Sequence, residues 1–413
     1  MMDVQRSKHY LNNNKVVIAY TFFLAILPIV SVYYSGIPGL SVGDVGLVLF
    51  FVVALFFDKK INKKSLNISI LYIGLFSSLV FSFFAICLKQ DAQISNIIIR
   101  FVRYSFYIFS FLFTSSRLLD VLRLKKCIIM ITLIGCVFLV IQFFSFRLLG
   151  IAIPGYTHLI PLYSDTYSTR DYTVSSYRPT AFFLEPAHFC RYSVIALCVL
   201  LFDNKEIKTK SLIEAIFISI CILLSTSSQG YLLLAIIVIS FVLSRISKIK
   251  NRLIKYASII AVLVSPLIIY LVLNSSIVSF TIERALSGDI NSTTSAAGAR
   301  LASYSYYSKL PLLFKIIGVG FGSGVVGVED VWFSGFARFL YGSGILITLI
   351  FLFFSIYSVF KSKHASKMIL LCFLILFFTD DSFCSYVCVL YYSLTLLVAR
   401  KTNKKYENII YSY

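Results

Sequence analysis

Long apolar stretches recur along this 413-residue chain and favour a fold built inside a membrane. Each stretch has about 16–25 residues, enough for a helix to cross a hydrocarbon core of about 30 Å. With 59% hydrophobic residues, 14% charged residues and a mean hydropathy of +0.88, the composition lies far from that of soluble globular proteins. The sequence therefore predicts an all-α polytopic membrane protein with about twelve transmembrane helices. They are expected at residues 16–35, 39–57, 66–88, 94–115, 127–149, 186–202, 211–226, 229–244, 254–273, 335–360, 367–383 and 384–399.

The distribution of Lys and Arg predicts how these spans are oriented. Twenty-six of the 38 basic residues lie in seven short polar runs, and all seven fall on the same side of the predicted membrane. Because cytoplasmic loops are enriched in Lys and Arg, that side is predicted to be the cytoplasm, with both termini inside. Residues 1–413 are expected to form a single membrane domain. The runs are Arg6–Lys15, Lys59–Lys64, Arg117–Lys126, Lys205–Lys210, Arg245–Lys255, Lys361–Lys367 and Arg400–Lys405.

Two long connections are predicted on the opposite, extracytoplasmic face. They cover residues 150–185 and 274–334, whereas the other connections on that face are short. Loops longer than about 12–15 residues are uncommon unless they are functional or disordered. Neither loop has a disordered composition, because both are rich in aromatic residues. The predicted chemistry is therefore assigned to these two loops, whose aromatic residues are Tyr156, Tyr163, Tyr167, Tyr172 and Tyr177 in the first and Tyr304, Tyr306, Tyr307 and Trp332 among those in the second.

Several classes of function are not supported by the composition. The net charge of +20 comes from basic residues dispersed between spans, with no aromatic-interleaved basic domain, so no nucleic-acid partner is expected. The four histidines lack metal-ligand spacing, and neither a metal nor a cofactor is expected. Nine cysteines in or beside apolar spans do not form a disulfide framework. Asp380 and Asp381 are expected to cap a helix rather than bind a cation.

Twelve basic residues lie outside the seven runs, and nine of them are arginines. Arg100 and Arg103 share one face of the fourth predicted span, about 9–14 Å below its outer start. Arg191 lies at a similar depth in the sixth span, and Arg338 is shallower in the tenth. A charge near mid-membrane costs roughly 2.5–3.5 kcal/mol on insertion scales and is usually paired or faces a polar cavity. Snorkelling explains any one of them as well, but four on three helices favour a shared anionic ligand.

The strongest local motif is Arg178-Pro-Thr-Ala-Phe-Phe-Leu-Glu185-Pro186-Ala-His188-Phe-Cys-Arg191, which leads into the sixth predicted span. The planar guanidinium of arginine matches phosphate with two parallel hydrogen bonds. Glu185 or His188 could accept the proton of an attacking hydroxyl. Glu185 also has a structural interpretation, because an acidic residue before Pro186 suits the positive end of a helix.

A second motif begins at Arg300 and ends at Gly318-Val-Gly-Phe-Gly-Ser-Gly324. Glycines at alternate positions allow the backbone to approach a ligand closely, although a flexible turn accounts for them equally well. No strand precedes these glycines, so they do not imply a dinucleotide-binding fold. Between the two ends of the motif, residues 301–307 are expected to form a short amphipathic helix with Tyr304 and Tyr307 on one side.

These motifs give the whole chain a resemblance to the O-antigen polymerase (Wzy-type) family of bacterial cell-envelope proteins, which is related to the O-antigen ligases. The resemblance rests on the Arg-Pro-Thr-Ala-x-x-x-Glu-Pro stretch at 178–186, the turn at 225–230 and the Arg300…Gly-Val-Gly-x-Gly segment. The turn reads Ser-Thr-Ser-Ser-Gln-Gly, and the family usually carries arginine at the position of Gln229. Gln229 is therefore not expected to bind charge.

The resemblance implies a metal-independent, inverting glycosyltransferase that polymerises undecaprenyl-diphosphate-linked repeat units on the outer face of a bacterial inner membrane. The implied partners are that lipid-linked oligosaccharide, membrane lipid and a chain-length regulator protein. The outer-loop tyrosines are expected to stack on sugar rings. Glu185 is the expected base and His188 the second candidate, with Arg178 and Arg300 completing the catalytic set. The diphosphate is expected to bind Arg178, Arg191 and Arg300, supported by Arg100, Arg103, Arg284 and Arg338.

Two alternatives remain open. A ligase of the same superfamily would transfer finished polymer to lipid A-core with the same layout and mechanism. A flippase for the lipid-linked unit would not be an enzyme, although it also has about twelve spans and buried arginines. Charges in a flippase should line a path through both membrane halves. The embedded arginines of this sequence are confined to the predicted outer half, which favours the enzyme.

Overall fold

The computed structural model describes residues 2–37, 39–56, 94–157, 159–162, 177–203, 208–246, 304–320, 333–362 and 364–379. Within these ranges the chain is mostly helical and contains no strands, only isolated antiparallel bridges between Tyr33 and Leu162 and between Tyr34 and Ser41. The helices are α1 (Met2–Val30), α2 (Val42–Leu55), α3 (Ile94–Leu118), α4 (Val121–Leu149), α5 (Pro186–Phe202), α6 (Thr209–Leu224), α7 (Ser228–Ile246), α8 (Leu312–Ile317), α9 (Gly335–Lys361) and α10 (His364–Thr379).

The all-α fold class is confirmed for the described residues. Nine of the twelve predicted spans coincide with described helices, and α5 has the predicted bounds of 186–202. The spans predicted at 66–88, 254–273 and 384–399 lie outside the described residues. The total of twelve spans therefore stays a prediction.

Two of the described helices, α4 and α9, are long and apolar enough to cross a membrane, and five shorter apolar helices accompany them. On α4 the face from Leu124 to Gln142 is buried against the rest of the protein. The opposite face carries exposed apolar side chains at alternating intervals of four and three residues, which continue along most of the helix. An apolar stripe of this length is typical of a surface that contacts membrane or protein rather than water. Its residues are Met130, Ile134, Val137, Ile141, Phe144 and Leu148.

Helix α5 lies inside the described bundle and is buried on every side from Phe189 to Leu201. It packs against α4, α6, α7 and α10. A helix that is apolar all round is expected in a protein core rather than at its surface. The first turn of α5 is consequently held by several neighbours, and Glu185 and His188 lie at this turn.

Local sequence signals explain where several helices begin and end. Helix α2 begins with a capping box, in which the Ser41 hydroxyl accepts the N–H of Asp44 and the Asp44 carboxylate accepts the N–H of Ser41. Helix α4 begins after Asp120, whose side chain caps the first turn, and ends at Gly150 with a φ of 69°. Pro186 occupies the first position of α5, where its missing N–H is not needed.

Helix α9 is interrupted at Gly344, where φ is 72° and ψ is 173°. The segment that follows α8 bonds to the backbone just before this interruption. The N–H of Val319 donates to the carbonyl oxygen of Tyr341 at 3.0 Å, and the N–H of Gly320 donates to that of Gly342 at 2.9 Å. Tyr341 lies about 9 Å along the axis from the first residue of α9, Gly335. Part of the predicted second outer loop therefore packs along α9 rather than extending away from it.

Two glycines make this close packing possible. Gly318 has a φ of 82°, and a Cβ at this position would overlap the carbonyl group of Gly342. A Cβ at Gly344 would overlap the carbonyl group of Ile316. Both glycines also have backbone angles that side chains of L-residues rarely allow. Gly318, the first glycine of the predicted Gly-rich segment, is thus explained by the close contact of two backbones.

One end of the bundle of described helices is called the loop end below. It comprises the last turns of α1, α4, α6 and α10, the first turns of α2, α5, α7 and α9, and residues 151–157, 159–162 and 177–185. Here the N–H of Tyr34 donates to the carbonyl oxygen of Pro161 at 2.8 Å, and the N–H of Thr157 donates to the hydroxyl of Tyr33 at 3.1 Å. At the opposite end, Lys125 and Asp203 form an ion pair at 2.9 Å.

Candidate functional site

The turn that carries Arg178 is anchored to α4 by a buried amide. The side-chain oxygen of Gln142 accepts the N–H groups of Thr180 at 3.1 Å and Ala181 at 2.8 Å. Its nitrogen donates to the carbonyl oxygens of Ile153 at 3.0 Å and Ala181 at 3.3 Å. Ala181 has a φ of 53°, in a region uncommon for residues other than glycine. Gln142 therefore holds this turn in an unusual backbone conformation.

Arg178 reaches from this turn to the connection between α6 and α7. Its Nε donates to the hydroxyl of Thr226 at 3.2 Å, and its Nη2 donates to the carbonyl oxygen of Thr226 at 2.9 Å. Thr226 has a φ of 51°. Three non-glycine residues in the described ranges have positive φ, and two of them, Ala181 and Thr226, lie here. Strained backbone of this kind concentrates at functional sites.

Arg191 connects three helices in the same region. It is 7% exposed, and its Nε donates to the side-chain oxygen of Gln229 on α7 at 3.0 Å. The nitrogen of Gln229 donates in turn to the hydroxyl of Thr379, the last residue of α10, at 3.5 Å. Gln229 thus contacts a positive charge of the protein itself. Arg178, Arg191, Thr226, Gln229 and Thr379 are called the arginine cluster below.

Glu185 and His188 lie at the first turn of α5, between Arg178 and Arg191 in the sequence. Glu185 occupies the N-cap position, and its carbonyl oxygen accepts the N–H of His188 at 3.0 Å. The Glu185 side chain makes no capping hydrogen bond, and both side chains are half-buried. Hydrogen-bond capping therefore does not explain the presence of a carboxylate at this position.

Arg103 has a different environment, because it is paired with a carboxylate. Its Nη2 lies 2.6 Å from the Asp44 carboxylate, and its Nε donates to the Tyr107 hydroxyl at 2.6 Å. The Tyr107 hydroxyl donates to the other oxygen of Asp44, which is 2% exposed. The pattern of basic residues did not point to Asp44, although a lone acid in a predicted span is a recognised functional signal. The ion pair supplies Arg103 with an internal counter-charge.

The remaining predicted arginines are placed as follows. Arg338 lies in the first turn of α9, with its guanidinium 5.0 Å from the centre of the Phe333 ring, which is a cation–π geometry. Arg100 lies on α3, but its side chain is outside the described part of the structure. Arg284 and Arg300 lie outside the described residues. The described contacts therefore bring Arg178 and Arg191 to one region, through the neighbouring residues 226 and 229.

The described outer-loop tyrosines contact other parts of the protein. The Tyr177 hydroxyl donates to the carbonyl oxygen of Ile153 at 2.8 Å. The Tyr307 hydroxyl donates to the carbonyl oxygen of Lys315 at 3.0 Å, and burial raises the pKa of the Tyr307 phenol. Tyr304 and Tyr307 lie on a helical segment at 304–308, and residues 301–303 of the predicted helix lie outside the described residues. Sugar stacking by these residues stays a prediction.

The arrangement combines anion-binding and proton-accepting groups at the loop end. Hydrogen bonds from Arg178 to Thr226 and from Arg191 to Gln229 orient the two guanidinium groups. Glu185 and His188 supply a carboxylate and an imidazole at the intervening turn. Within the described ranges, no group of three or more His, Cys, Asp and Glu side chains is arranged to hold a metal ion.

Comparisons with known proteins did not identify a family. No model of a known protein family matches the chain, and no curated protein matches it significantly.

Proposed function

We propose that this protein is a polysaccharide polymerase that joins undecaprenyl-diphosphate-linked repeat units on the outer face of a bacterial inner membrane. The observation that carries the proposal is the contact between segments 178–191 and 225–229, made by Arg178 with Thr226 and by Arg191 with Gln229. These segments contain two of the three stretches on which the resemblance to O-antigen polymerases rests. Their association through arginine side chains supports a shared anion-binding role.

The proposal includes a topology of twelve spans with both termini in the cytoplasm. In this topology the loop end faces the outside, where lipid-linked repeat units are joined. The exposed apolar stripe on α4 would then contact lipid. The ion pair between Lys125 and Asp203 would lie at the cytoplasmic end, in agreement with the basic runs on that side.

In the proposed reaction, a hydroxyl of the acceptor repeat unit attacks the anomeric carbon of the donor glycan. The new glycosidic C–O bond forms with inversion as the bond from that carbon to the diphosphate oxygen breaks. Glu185 accepts the hydroxyl proton, and His188 is the second candidate for this role. Undecaprenyl diphosphate leaves with the bonding electrons, and Arg178, Arg191 and Arg300 stabilise its developing negative charge. Arg100, Arg103, Arg284 and Arg338 are supporting candidates for the same anion, and Arg103 is also paired with Asp44.

Polymer length in a polymerase-deficient strain tests this proposal. We expect Arg178→Ala, Glu185→Gln and Arg300→Ala each to leave single repeat units in place of long polysaccharide, at normal protein level. Arg147→Ala is the matched control, because Arg147 is an exposed arginine near the loop end of α4 whose guanidinium lies 5.8 Å from the Phe143 ring. Normal long-chain polysaccharide in all three variants would refute the assignment.

The same experiment separates the proposal from its alternatives. Loss of a ligase leaves long polymer on the lipid carrier, whereas loss of a polymerase leaves single repeat units. Long carrier-linked polymer in the Arg178→Ala strain would assign the protein to the ligases. Retention of repeat units at the cytoplasmic face would indicate a flippase.

A further inference from the structure

Gln142 connects the interior of the helix bundle to the turn that carries Arg178. It lies seven residues before the end of α4, or about 10 Å along the helix axis. Its side chain is 0% exposed and continues the buried face that contains Cys136 and Leu139. A polar side chain at such a position requires hydrogen-bond partners, because an unsatisfied buried amide is destabilising.

The hydrogen-bonding capacity of this amide is fully used on the turn at 180–181 and on Ile153 of the neighbouring loop. A glutamine side chain offers two donors and an oxygen that accepts two hydrogen bonds. Gln142 makes four such bonds, two to the N–H groups of Thr180 and Ala181 and two to the carbonyl oxygens of Ile153 and Ala181. Fully satisfied buried networks rigidify the segments that they join. The amide therefore specifies one conformation of the turn.

Further contacts make the turn and the neighbouring loop a single body. Gly155 packs so closely on the turn that a Cβ would overlap the Thr180 hydroxyl and the carbonyl oxygens of Ala181 and Phe183. The Tyr177 hydroxyl donates to the carbonyl oxygen of Ile153, which Gln142 also binds. Arg178 follows Tyr177 directly, so its backbone position depends on this body.

We infer that Gln142 is a positioning residue for Arg178 and thereby sets the affinity of the arginine cluster for a lipid diphosphate. Gln142 does not itself touch the ligand. It holds residues 180 and 181, with Ala181 at a φ of 53°, and so directs Arg178 toward Thr226. The inference rests on the proposed function, because it assumes that Arg178 binds diphosphate.

A double-mutant cycle on the full-length protein in lipid nanodiscs tests the coupling, with undecaprenyl diphosphate as the probe. We expect Gln142→Met and Arg178→Ala each to weaken the binding of undecaprenyl diphosphate by about 10-fold or more. This loss is similar in size to the interaction energies measured between residues in contact. The double variant is expected to bind no more weakly than Arg178→Ala alone, since both substitutions remove the same contact. Losses that multiply would overturn the inference, because they would show that Gln142 acts independently of Arg178.

Ser145→Ala is the matched control. Its hydroxyl also joins α4 to the following loop, by donating to the carbonyl oxygen of Ile151 at 3.2 Å, but the bond is exposed. It lies one turn of α4 beyond Gln142 and bonds neither Thr180 nor Ala181 through this contact. We expect Ser145→Ala to change probe binding by less than about 2-fold, in keeping with an exposed site. A loss equal to that of Gln142→Met would contradict a specific role for Gln142.

Hydrogen exchange tests the structural half of the inference without reference to function. Gln142→Met should accelerate amide exchange at residues 180 and 181 by about 10-fold or more, because local opening limits exchange there. Unchanged exchange would overturn the inference. If Gln142→Met does not fold, Gln142→Asn answers the same question, since it keeps an uncharged amide but is one methylene shorter and draws that amide away from residues 180 and 181. Two results together would refute the proposed function: accelerated exchange in Gln142→Met and unchanged binding of undecaprenyl diphosphate in Arg178→Ala. Gln142 would then still be the residue that anchors the turn.

Discussion

Lone polar side chains within apolar helices make several of the described tertiary contacts. Gln142 anchors the Arg178 turn, and Asp44 binds both Arg103 and Tyr107. The positive-charge pattern pointed to Arg103 but not to its partner, because only Lys and Arg follow the inside–outside rule. The signal for Asp44 and Gln142 was present as single polar residues in apolar stretches. Their partners depend on contacts between distant segments and cannot be read from spacing.

Removing one partner of the buried ion pair should destabilise the protein strongly. Asp44→Asn leaves the Arg103 guanidinium without its carboxylate, and breaking a buried pair costs about 3–5 kcal/mol. Arg103→Met is expected to be similar, whereas the double variant Asp44→Asn/Arg103→Met should lose less than the sum. The measurement is the unfolding midpoint of the purified protein in detergent.

Asp120→Asn is the control for this comparison. Asp120 pairs with Arg123 at 3.8 Å, and both side chains are more than a quarter exposed, at 27% and 37%. Exposed pairs contribute about 0–1 kcal/mol, and asparagine caps a helix as well as aspartate does. Equal destabilisation by Asp44→Asn and Asp120→Asn would show that burial does not strengthen the Asp44–Arg103 pair.

The residues of the Arg178–Arg191 motif could be predicted better than their partners. Pro186 at the first position of α5 and the motif's place at a helix entry are confirmed. The bonds from Arg178 to Thr226 and from Arg191 to Gln229 were not predicted, because each spans more than 35 residues of sequence. Sequence spacing orders residues along one helix but does not specify which loop lies beside it.

At the scale of elements, the start of α9 was easier to predict than the break within it, whereas α1 begins at Met2 rather than at the predicted residue 16. Residue 335 was the predicted start, and Ser334 caps it by accepting the N–H of Ala337. The break at Gly344 interrupts an apolar stretch whose pattern indicates one continuous helix. It depends on the backbone of residues 318–320, which supplies the hydrogen bonds at 341 and 342. The helix propensity of residues around 344 carries no information about this contact, because residues 318–320 are more than 20 positions away in the sequence.

Glycine is required at some positions only by a positive φ and at others also by a close backbone contact. Alanine substitution at Gly150 and Gly344 distinguishes these two requirements. Gly150→Ala places a side chain at a φ of 69° in open space, so we expect only the conformational cost of about 1–2 kcal/mol. Gly344→Ala at a φ of 72° adds the overlap with Ile316, and overpacking costs about 1–3 kcal/mol more. Unfolding midpoints in detergent compare the two variants. Equal shifts would mean that residues 316–318 move away from α9 without penalty.

At the scale of the whole molecule, the exposed stripe on α4 predicts contact with lipid. Ile134→Asp places a charge in the middle of this stripe, where insertion into lipid costs about 2.5–3.5 kcal/mol. If this face of α4 were in water, the same substitution would change the free energy of unfolding by about 0.5 kcal/mol or less. We therefore expect less folded, membrane-inserted protein, measured by fractionation and detergent extraction.

Leu159→Asp is the control for the stripe. Leu159 is 92% exposed in the connection between α4 and α5, outside the helices. We expect normal amounts of folded protein, because a charge there stays in water or at the headgroups. Tolerance of Ile134→Asp equal to that of Leu159→Asp would argue against a lipid-facing α4.

Because α5 is enclosed by α4, α6, α7 and α10, its environment is completed only late in biosynthesis. The ribosome releases α5 well before α10, so for that interval one side of α5 lacks its final neighbour. Membrane helices insert first and then associate, and the Arg191–Gln229–Thr379 contact closes at the end of that association. A nascent chain that stops before α10 is therefore expected to expose the side of α5 that α10 would cover. Proteases and chaperones of the membrane could then bind this exposed side.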